Sequence, residues 1–242
     1  MVTRVGTSGW SYGHWVPELY PPGLAAGKWL ERYAAEFTTV ELNASFYRWP
    51  RPAVFAGWRE RLPEGFVLSV KAPRGLTHAR RLADPQAWAE RIAAGLRELG
   101  DRRGVLLVQL APAMARDDER LAGLLAVLPD WAPTAVEFRH PSWLDEKVFG
   151  LLERAGAGYC VMSGAKLPCV LRVTAPFAYV RLHGPDHEQL YAGSYSGADL
   201  AWWAARTGEW QRAGHDVYAY FNNDGAANAV RNARTLRDLV SG

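Results

Sequence analysis

The chain has 242 residues, of which 49% are apolar and 22% are charged, and its formal net charge at pH 7 is +3. This composition is typical of a soluble globular protein, and no apolar run approaches the roughly 20 residues of a transmembrane helix. The sequence starts without an apolar signal region, and its two cysteines, Cys160 and Cys169, are too few for a disulfide framework. We therefore expect a cytoplasmic protein without a membrane partner.

Short strand-like runs alternate with helical patterns along the chain. A strand is predicted where β-branched and aromatic residues concentrate and apolar residues alternate with polar ones. In chain order, the predicted strands are 3–10, 37–43, 65–72, 103–110, 134–140, 157–163, 177–184 and 216–224.

Helical periodicity is clearest in residues 84–100. Asp84 suits the N-cap, Pro85 suits the first helical position, and Gly100 follows the predicted end. Its apolar stripe comprises Trp88, Ile92, Leu96 and Leu99. Further helices are predicted over 116–128, 143–155, 199–213 and 226–240, whereas the sixth connection, 164–176, is too short and proline-interrupted for a full helix.

This alternation predicts an α/β fold with parallel strands. Eight strand–helix repeats in 242 residues match the size of a (β/α)8 barrel. We predict a single TIM-barrel-like domain over residues 1–242, with a short or missing sixth helix. A doubly wound open sheet is the alternative, but the expected glycine-rich phosphate turn is absent from GTSGWSYGH.

One face of the predicted strands is polar near their carboxyl ends. In TTVELNASFY, Glu41 and Asn43 alternate with Val40 and Leu42, so the two pairs point to opposite sides of the strand. The corresponding polar residues of other strands are Lys71, Gln109, Glu137, Arg139, Arg181, His183 and Asn222. Because barrel enzymes place their chemistry at this end of the strands, we expect these side chains to line a shared polar chamber.

Basic side chains outnumber carboxylates in the predicted chamber. Isolated buried charges are costly, so these groups must pair with one another or meet water or a ligand. A net positive floor favours an anionic ligand. The alternative is a structural ion-pair network, which gathers the same residue types.

Aromatic residues concentrate in the loops at the same end. Flat rings beside carboxylates and arginines suit a sugar face or a nucleobase, although such rings also anchor loops. The predicted substrate-binding rings are Trp10, Tyr12, Tyr47, His140, Trp143 and Tyr195.

The eighth strand ends in Asn222, Asn223 and Asp224, just before a predicted helix. Backbone N–H groups near Gly225 favour an anion there; alternatively, Asp224 only caps the helix. We predict that all three residues bind substrate. Asn43, Gln109, Arg139 and Arg181 complete the predicted substrate-binding set.

Four of the polar residues are predicted to be catalytic. Glu41 or Glu137 would be a general base, because neighbouring cations keep a carboxylate ionised. Lys71 and His183 would be partner acids or bases, and a desolvated Lys71 could instead form a Schiff base.

No cofactor is evident, and no residue is predicted to bind a metal. The HGPDHE run contains His183, Asp186, His187 and Glu188, but neither an H-E-x-x-H motif nor a cysteine pair occurs. A divalent metal is thus an alternative that the spacing does not support. The segment GSYSG, 193–197, is typical of a flexible lid.

Seven segments together resemble the domain-of-unknown-function 72 family (YecE-like). They are GTSGWSY, VELNASFYRWP, SVKAPRGLTH, LLVQLAP, VEFRHPSW, YVRLHG and YAYFNNDGAANAVRNA. The resemblance covers nearly the whole chain and implies a TIM-barrel-like fold. It implies no reaction, and nucleic-acid binding follows only by analogy with endonuclease-IV-type barrels. Ser163 stands where the family more often has an acidic residue, which weakens any role that needs a third carboxylate.

We therefore expect an uncharacterised TIM-barrel protein that acts as an acid–base enzyme, a hydrolase, lyase or isomerase. Its expected substrate is an anionic sugar- or nucleotide-like small molecule bound at the C-terminal mouth of the barrel. One alternative is a nucleic-acid-binding protein or repair-type nuclease. Another is a metabolite-binding protein without catalysis. The charge alone does not favour a nucleic acid, since no basic cluster or stripe stands out.

Overall fold

The structure is a computed structural model that describes residues 1–241. The strands within this range are β1 (Thr3–Thr7), β2 (Thr39–Leu42), β3 (Val67–Lys71), β4 (Arg103–Gln109), β5 (Thr134–Glu137), β6 (Gly158–Ser163), β7 (Phe177–Leu182) and β8 (Asp216–Phe221). The α-helices are α1 (Trp29–Ala34), α2 (Pro52–Arg61), α3 (Gln86–Glu98), α4 (Asp118–Val127), α5 (Glu146–Arg154), α6 (Gly197–Arg212) and α7 (Asn228–Ser241).

All eight predicted strands are confirmed, each shorter than the run that predicted it. Several strands end just before the last of their predicted polar residues. Asn43, Arg139, His183 and Asn222 therefore lie in the loops immediately after their strands. The backbone N–H groups of His183 and Asn222 still donate to the neighbouring strands, to the carbonyls of Ser163 and Leu182 at 2.7 and 2.8 Å.

The five predicted helices are confirmed as α3 to α7, and the described connection 164–176 contains no helix, as predicted. The sequence pattern does not predict α1 and α2. Helix α1 has only six residues, and α2 buries only Phe55, so its apolar periodicity is weak.

Two capping predictions are wrong. Pro85, rather than Asp84, is the N-cap of α3, because its carbonyl accepts the backbone N–H of Ala89 at 2.8 Å, whereas Asp84 has a φ of 49°. Asp224 precedes the short helical turn Gly225–Ala227 but makes no capping hydrogen bond. Its carboxylate instead accepts a hydrogen bond from Trp15.

The chain divides into two compact units, which are described separately. The first comprises Met1–Glu41, Val161–Leu171 and the chain from Pro176 onwards. In it, β8 pairs in parallel with both β1 and β7, and the register places Arg181 beside Tyr220. Gly6 of β1 is required by a close approach, since a Cβ there would lie 2.3 Å from the Thr39 carbonyl oxygen.

The second unit comprises Leu42–Cys160 and Arg172–Ala175. Strand β4 pairs in parallel with β3 and β5, and β5 pairs with the start of β6. The register places Gln109 directly beside Glu137. This pairing brings two predicted site residues to the same place at the carboxyl ends of neighbouring strands.

The strands are buried on both of their faces, as expected of parallel strands that helices cover. In β4, the consecutive residues Val105 to Val108 are all buried. None of the helices within residues 1–241 has the length and hydropathy that a membrane crossing requires. The assignment of residues 1–242 to a single domain stays a prediction.

Candidate functional site

Glu41 is the centre of a buried polar cluster in the first unit. Arg181 donates from Nη2 to Oε1 at 2.8 Å and from Nε to Oε2 at 3.0 Å. The Ser8 hydroxyl donates to Oε1 at 2.5 Å, and the Tyr179 hydroxyl donates to Oε2 at 2.7 Å. We call these four residues the Glu41 cluster. Both oxygens of the carboxylate accept hydrogen bonds within it.

The Glu41 cluster follows from strand alternation. Tyr179 and Arg181 are two residues apart on β7, so they project from the same face. Burial and the negative charge of Glu41 raise the pKa of Tyr179 well above its usual value, so the hydroxyl remains a donor at neutral pH. A fully buried carboxylate with donors on both oxygens favours the structural ion-pair role for Glu41 over the role of general base.

His183 and Asn222 come together at the ends of β7 and β8. His183 is fully buried, and its Nδ1 lies 3.2 Å from Nδ2 of Asn222. The ring of Tyr191 meets the imidazole edge-on, with centroids 5.3 Å apart. The predicted catalytic histidine is thus enclosed by an amide and an aromatic ring.

Trp10 and Tyr12 lie in the loop after β1. The Tyr12 hydroxyl donates to the Ser8 carbonyl at 2.8 Å, and the Tyr20 hydroxyl donates to the Trp10 carbonyl. Trp10 is buried and Tyr12 is half-buried. These bonds fix the loop backbone next to a member of the Glu41 cluster.

Asp224 is held by two side chains of the same loop. Trp15 donates from Nε1 to Oδ1 at 2.5 Å, and His14 Nε2 lies 3.0 Å from Oδ2. Burial raises the pKa of Asp224, while Trp15 and His14 oppose that change. The carboxylate is therefore engaged with this loop, and the predicted anion seat near Gly225 stays a prediction.

Asn223 and Tyr195 are anchors of the segment 193–197. The Asn223 amide donates to the Gly193 carbonyl at 3.0 Å and to Oδ1 of Asn232 at 2.8 Å. The Tyr195 hydroxyl accepts from the Gly184 backbone N–H and donates to the Ser163 hydroxyl, each at 3.0 Å. Both side chains are buried, so they tie down the predicted lid in this conformation.

Glu137 is the centre of a second polar cluster, which lies in the second unit. Gln109 donates from Nε2 to Oε1 at 2.9 Å, and Arg139 donates from Nε to the same oxygen. The Sγ atom of Cys160 lies 3.8 Å from Oε2. We call these four residues the Glu137 cluster. The sequence predicts Gln109, Glu137 and Arg139 at strand ends, and the register between β4 and β5 places Gln109 beside Glu137.

Basic and aromatic side chains lie together at the carboxyl end of β3 in the same unit, where Lys71 itself is only 6% exposed. Lys71 Nζ lies 4.1 Å from the ring centroid of Phe46, and the His78 ring meets Phe46 edge-on at 4.9 Å. Arg74, which lies between Lys71 and His78 in the sequence, is exposed, and His78 is half-buried. We call Phe46, Lys71, Arg74 and His78 the Lys71–His78 patch.

The pKa of His78 is lowered from its usual value. Burial is the largest cause, followed by the positive charges of Lys71, Arg74 and Arg139, and only Glu137 acts in the opposite direction. A histidine with a lowered pKa is neutral at pH 7. The imidazole therefore stands in a positive field that reaches the surface.

Two further predicted residues lie near this patch in the sequence. Oδ1 of Asn43 is buried and has no hydrogen-bond partner within the described structure. Tyr47 is 70% exposed, and its ring meets Phe46 edge-on at 5.2 Å. An unpartnered amide oxygen and an exposed ring are both suited to a ligand contact.

His140 and Trp143 have structural partners. His140 Nδ1 accepts from the Ser142 backbone N–H and so caps the short turn Pro141–Trp143. Trp143 is fully buried, stacks on Phe138 at 4.9 Å and donates from Nε1 to the Met114 carbonyl at 2.8 Å. In this conformation neither face of the Trp143 ring meets solvent.

Sequence reasoning did not select Ser8, Tyr179, Arg74 or His78 as site residues. Tyr179 had a signal, since it alternates with Arg181 on β7. His78 lies in the irregular helical segment Gly75–Ala79, where strand alternation gives no information about side-chain direction. Its only signal was its position directly after the polar end of β3.

Residues 1–241 contain no group of three or more His, Cys, Asp or Glu side chains that is arranged to hold a metal ion. In the HGPDHE run, Asp186 Oδ1 instead accepts the backbone N–H groups of Glu188 and Gln189 at 2.8 and 2.7 Å. The run therefore forms a turn.

Comparison with other sequences identifies relatives along nearly the whole chain. Residues 4–242 match the family described as "Protein of unknown function DUF72". The UPF0759 protein YunF of Bacillus subtilis is 27% identical over 267 residues, which cover 98% of this chain and 94% of the relative. The UPF0759 protein YecE of Escherichia coli K12 is 29% identical over 140 residues, which cover 57% of this chain and 49% of the relative.

Solved structures show the same fold. A DUF72 family protein from Thermotoga maritima superposes over all of both chains with a TM-score of 0.90 and 28% identity. A DUF72 family protein from Enterococcus faecalis has a TM-score of 0.84 at 19% identity, covering 100% of this chain and 96% of its own, and supports the fold alone. The predicted α/β TIM-barrel-like fold is confirmed, and the chain belongs to the DUF72 family of proteins of unknown function.

Proposed function

We propose that the protein is an acid–base enzyme that binds an anionic, sugar- or nucleotide-like small molecule at the Lys71–His78 patch and the Glu137 cluster. The observation that carries this proposal is the half-buried His78, which packs on the same Phe46 ring as Lys71 and whose pKa is lowered first by burial and then by Lys71, Arg74 and Arg139. Clefts with one dominant sign of charge raise the local concentration of oppositely charged ligands. The carboxyl ends of β3, β4 and β5 are also where barrel enzymes place their chemistry.

Arg139 is positioned for an anion by its partner. Glu137 accepts from Nε of Arg139, and a second bond from Gln109 fixes the carboxylate itself at 2.9 Å. A guanidinium that is already oriented loses little conformational entropy when a ligand binds. In this role Glu137 is a positioning residue, and Lys71 and Arg139 are the charges that meet the anion.

His78 is the candidate for proton transfer. A neutral imidazole near pH 7 can accept a proton from a substrate and return it later, the step that hydrolases, lyases and isomerases share. The Thr77 hydroxyl lies 2.9 Å from Nδ1, which leaves Nε2 as the nitrogen for the substrate. The positive charges around it stabilise a substrate anion that forms when the proton leaves.

Aromatic rings beside the patch suit the body of the substrate. The exposed Tyr47 ring presents a face to solvent, and Phe46 lies between Tyr47 and His78. Sugar faces and nucleobases stack on such rings. A substrate that joins a ring to a phosphate or carboxylate would use both parts of this surface.

Binding is tested by calorimetry and thermal shift with inorganic phosphate, ribose 5-phosphate, AMP and uncharged ribose. We expect the anions to bind, and a ligand at a hundred times its dissociation constant stabilises the fold by about 2.7 kcal/mol. Lys71→Gln and Arg74→Gln should each weaken binding. Arg80→Gln is the matched control, since Arg80 is an exposed arginine two residues from His78. No anion binding, or equal affinities in all variants, would contradict the proposal.

Catalysis is tested separately on the compounds that bind. Incubation followed by mass spectrometry should reveal a product, and His78→Gln should abolish turnover while it retains binding. Binding without any product would support the metabolite-binding alternative. Binding of short single-stranded or abasic DNA alone, with an affinity that falls steeply with salt, would support the nucleic-acid alternative.

A further inference from the structure

A concavity is lined by residues of the first unit. Its volume is about 330 Å³, which lies within the range of small-molecule sites. It is formed by the connection between β6 and β7, the segment that follows β7, and α6. We call it the Trp203 pocket.

Aromatic side chains form much of the Trp203 pocket. Trp202 and Trp203 project from α6 with their rings edge-to-face at 4.9 Å. Trp203 is buried, whereas Trp202 is 44% exposed. Tyr195 adds a hydroxyl that is fixed by Gly184 and Ser163. The pocket is therefore lined by aromatic rings and has a fixed hydroxyl group among them.

The charges of the pocket are negative. Asp186 and Asp199 line it, and no Lys or Arg is among the described lining residues. The hydrogen bonds that hold Asp186 fall on Oδ1, and those that hold Asp199 fall on Oδ2. Each carboxylate is therefore fixed through one oxygen. The backbone N–H groups of Gln189 and Glu188 also lower the pKa of Asp186, so it is ionised at neutral pH.

Two neighbouring side chains, His187 and Arg206, affect the charge that a cationic ligand would meet. His187 lines the pocket beside Asp186, is exposed, and adds positive charge only when it is protonated. Arg206 lies 5.4 Å from the ring centroid of Trp202, and its guanidinium forms an ion pair with Glu209. The Trp202 indole thus already has a cation against it, and Glu209 offsets the charge of that cation.

We propose that the Trp203 pocket binds a small organic cation whose ammonium or amidinium group meets Asp186 and Asp199 while its ring packs against Trp202 and Trp203. Tryptophan is the ring that attracts cations most strongly, and carboxylates supply charge-assisted hydrogen bonds to the same group. The ligand has the opposite charge to the one proposed for the Lys71–His78 patch. The two sites can therefore be tested independently.

The chain carries a reporter for this site. Cys169 lines the pocket and is exposed, whereas the other cysteine, Cys160, is fully buried. A thiol reagent should therefore label Cys169 first. A ligand in the pocket should protect it.

The probes are benzamidine, a flat cation, and benzamide, its uncharged analogue. We expect benzamidine to slow the iodoacetamide labelling of Cys169, followed by peptide mass spectrometry. At about ten times the dissociation constant, labelling should slow about tenfold, since only the unoccupied fraction reacts. Benzamide at the same concentration should not protect. Calorimetry of benzamidine binding provides a second measurement that does not depend on the thiol.

Asp186→Asn is the test variant, because asparagine keeps the oxygen that accepts the two backbone N–H groups and removes the charge. It should weaken benzamidine binding about tenfold. Glu188→Gln removes a charge from an exposed residue of the same turn that does not line the pocket, and it should have no effect. Equal protection by benzamide, equal affinities of wild type and Asp186→Asn, or no saturable benzamidine binding would each overturn the proposal.

Discussion

Arg181 binds both carboxylate oxygens of Glu41, with Nη2 at 2.8 Å from Oε1 and Nε at 3.0 Å from Oε2. The two side chains are only 1% and 0% exposed. A buried ion pair adds little stability compared with apolar residues of the same size, but the removal of one partner leaves the other charge without compensation. We therefore expect Glu41 to contribute to the stability of the fold, and this expectation is tested by substitution.

Glu41→Gln should lower the free energy of unfolding by about 3–5 kcal/mol, because the charge that balances Arg181 is lost in a buried place. Urea denaturation followed by circular dichroism measures this change. Asp238→Asn is the control, since its ion pair with Arg237 is exposed at the surface, and it should cost less than about 1 kcal/mol. Similar losses in the two variants would contradict a buried structural role for Glu41.

Tyr179→Phe should lower the free energy of unfolding by about 1.5–3 kcal/mol, the range for a hydrogen bond to a charged group. The substitution removes only the hydroxyl that donates to Oε2 of Glu41 at 2.7 Å. Tyr47→Phe removes the same atom from a ring that is 70% exposed and should change stability by less than about 0.5 kcal/mol. If the two variants unfold at the same denaturant concentration, the hydrogen bond from Tyr179 to Glu41 does not contribute to the stability of the fold.

Trp143 distinguishes a structural ring from a ligand-binding ring. Trp143→Ala should cost about 3–5 kcal/mol, because it leaves a cavity beside Phe138 and an unpaired Met114 carbonyl. The milder Trp143→Phe should remain folded and should bind the anions of the proposed function with unchanged affinity. A folded Trp143→Phe that loses this affinity would return Trp143 to the substrate-binding set.

The lowered pKa of His78 makes a prediction about pH and stability. The unfolded chain takes up a proton near the usual histidine pKa, whereas the folded state takes it up only at lower pH. Above the usual histidine pKa, the contribution of His78 to the free energy of unfolding is therefore complete. It is lost as the pH falls from that value towards the pKa that His78 has in the folded state. The check is to measure the free energy of unfolding of wild type and of His78→Asn at several pH values between neutral and mildly acidic. The stability difference between them should change in favour of the variant as the pH falls, and a constant difference would contradict the shift.

Strand alternation predicted much of the fold and part of the site. It placed Glu137 near Arg139 at the end of one strand, as the structure has them. It did not predict the contact between Gln109 and Glu137, because that contact depends on the register between β4 and β5. Register comes from packing between strands that are distant in sequence, which a periodic pattern in one strand does not contain.

Loop residues were harder to interpret. The sequence offers the same signal for the exposed Tyr47 and the buried Trp143, namely an aromatic residue shortly after a strand. Only the packing of Phe138 and Met114 around Trp143 separates the two. His78 was missed for a related reason, since its direction is set by the irregular segment Gly75–Ala79.

The most direct measurement of the central claim is an NMR titration of the His78 imidazole with and without inorganic phosphate. Comparison with the spectrum of His78→Gln assigns the signal among the six histidines. We predict a pKa below the usual histidine value in the free protein, and a rise at saturating phosphate, because the anion offsets the charges of Lys71, Arg74 and Arg139. A His78 pKa that phosphate leaves unchanged or lowers would contradict an anion site at the Lys71–His78 patch.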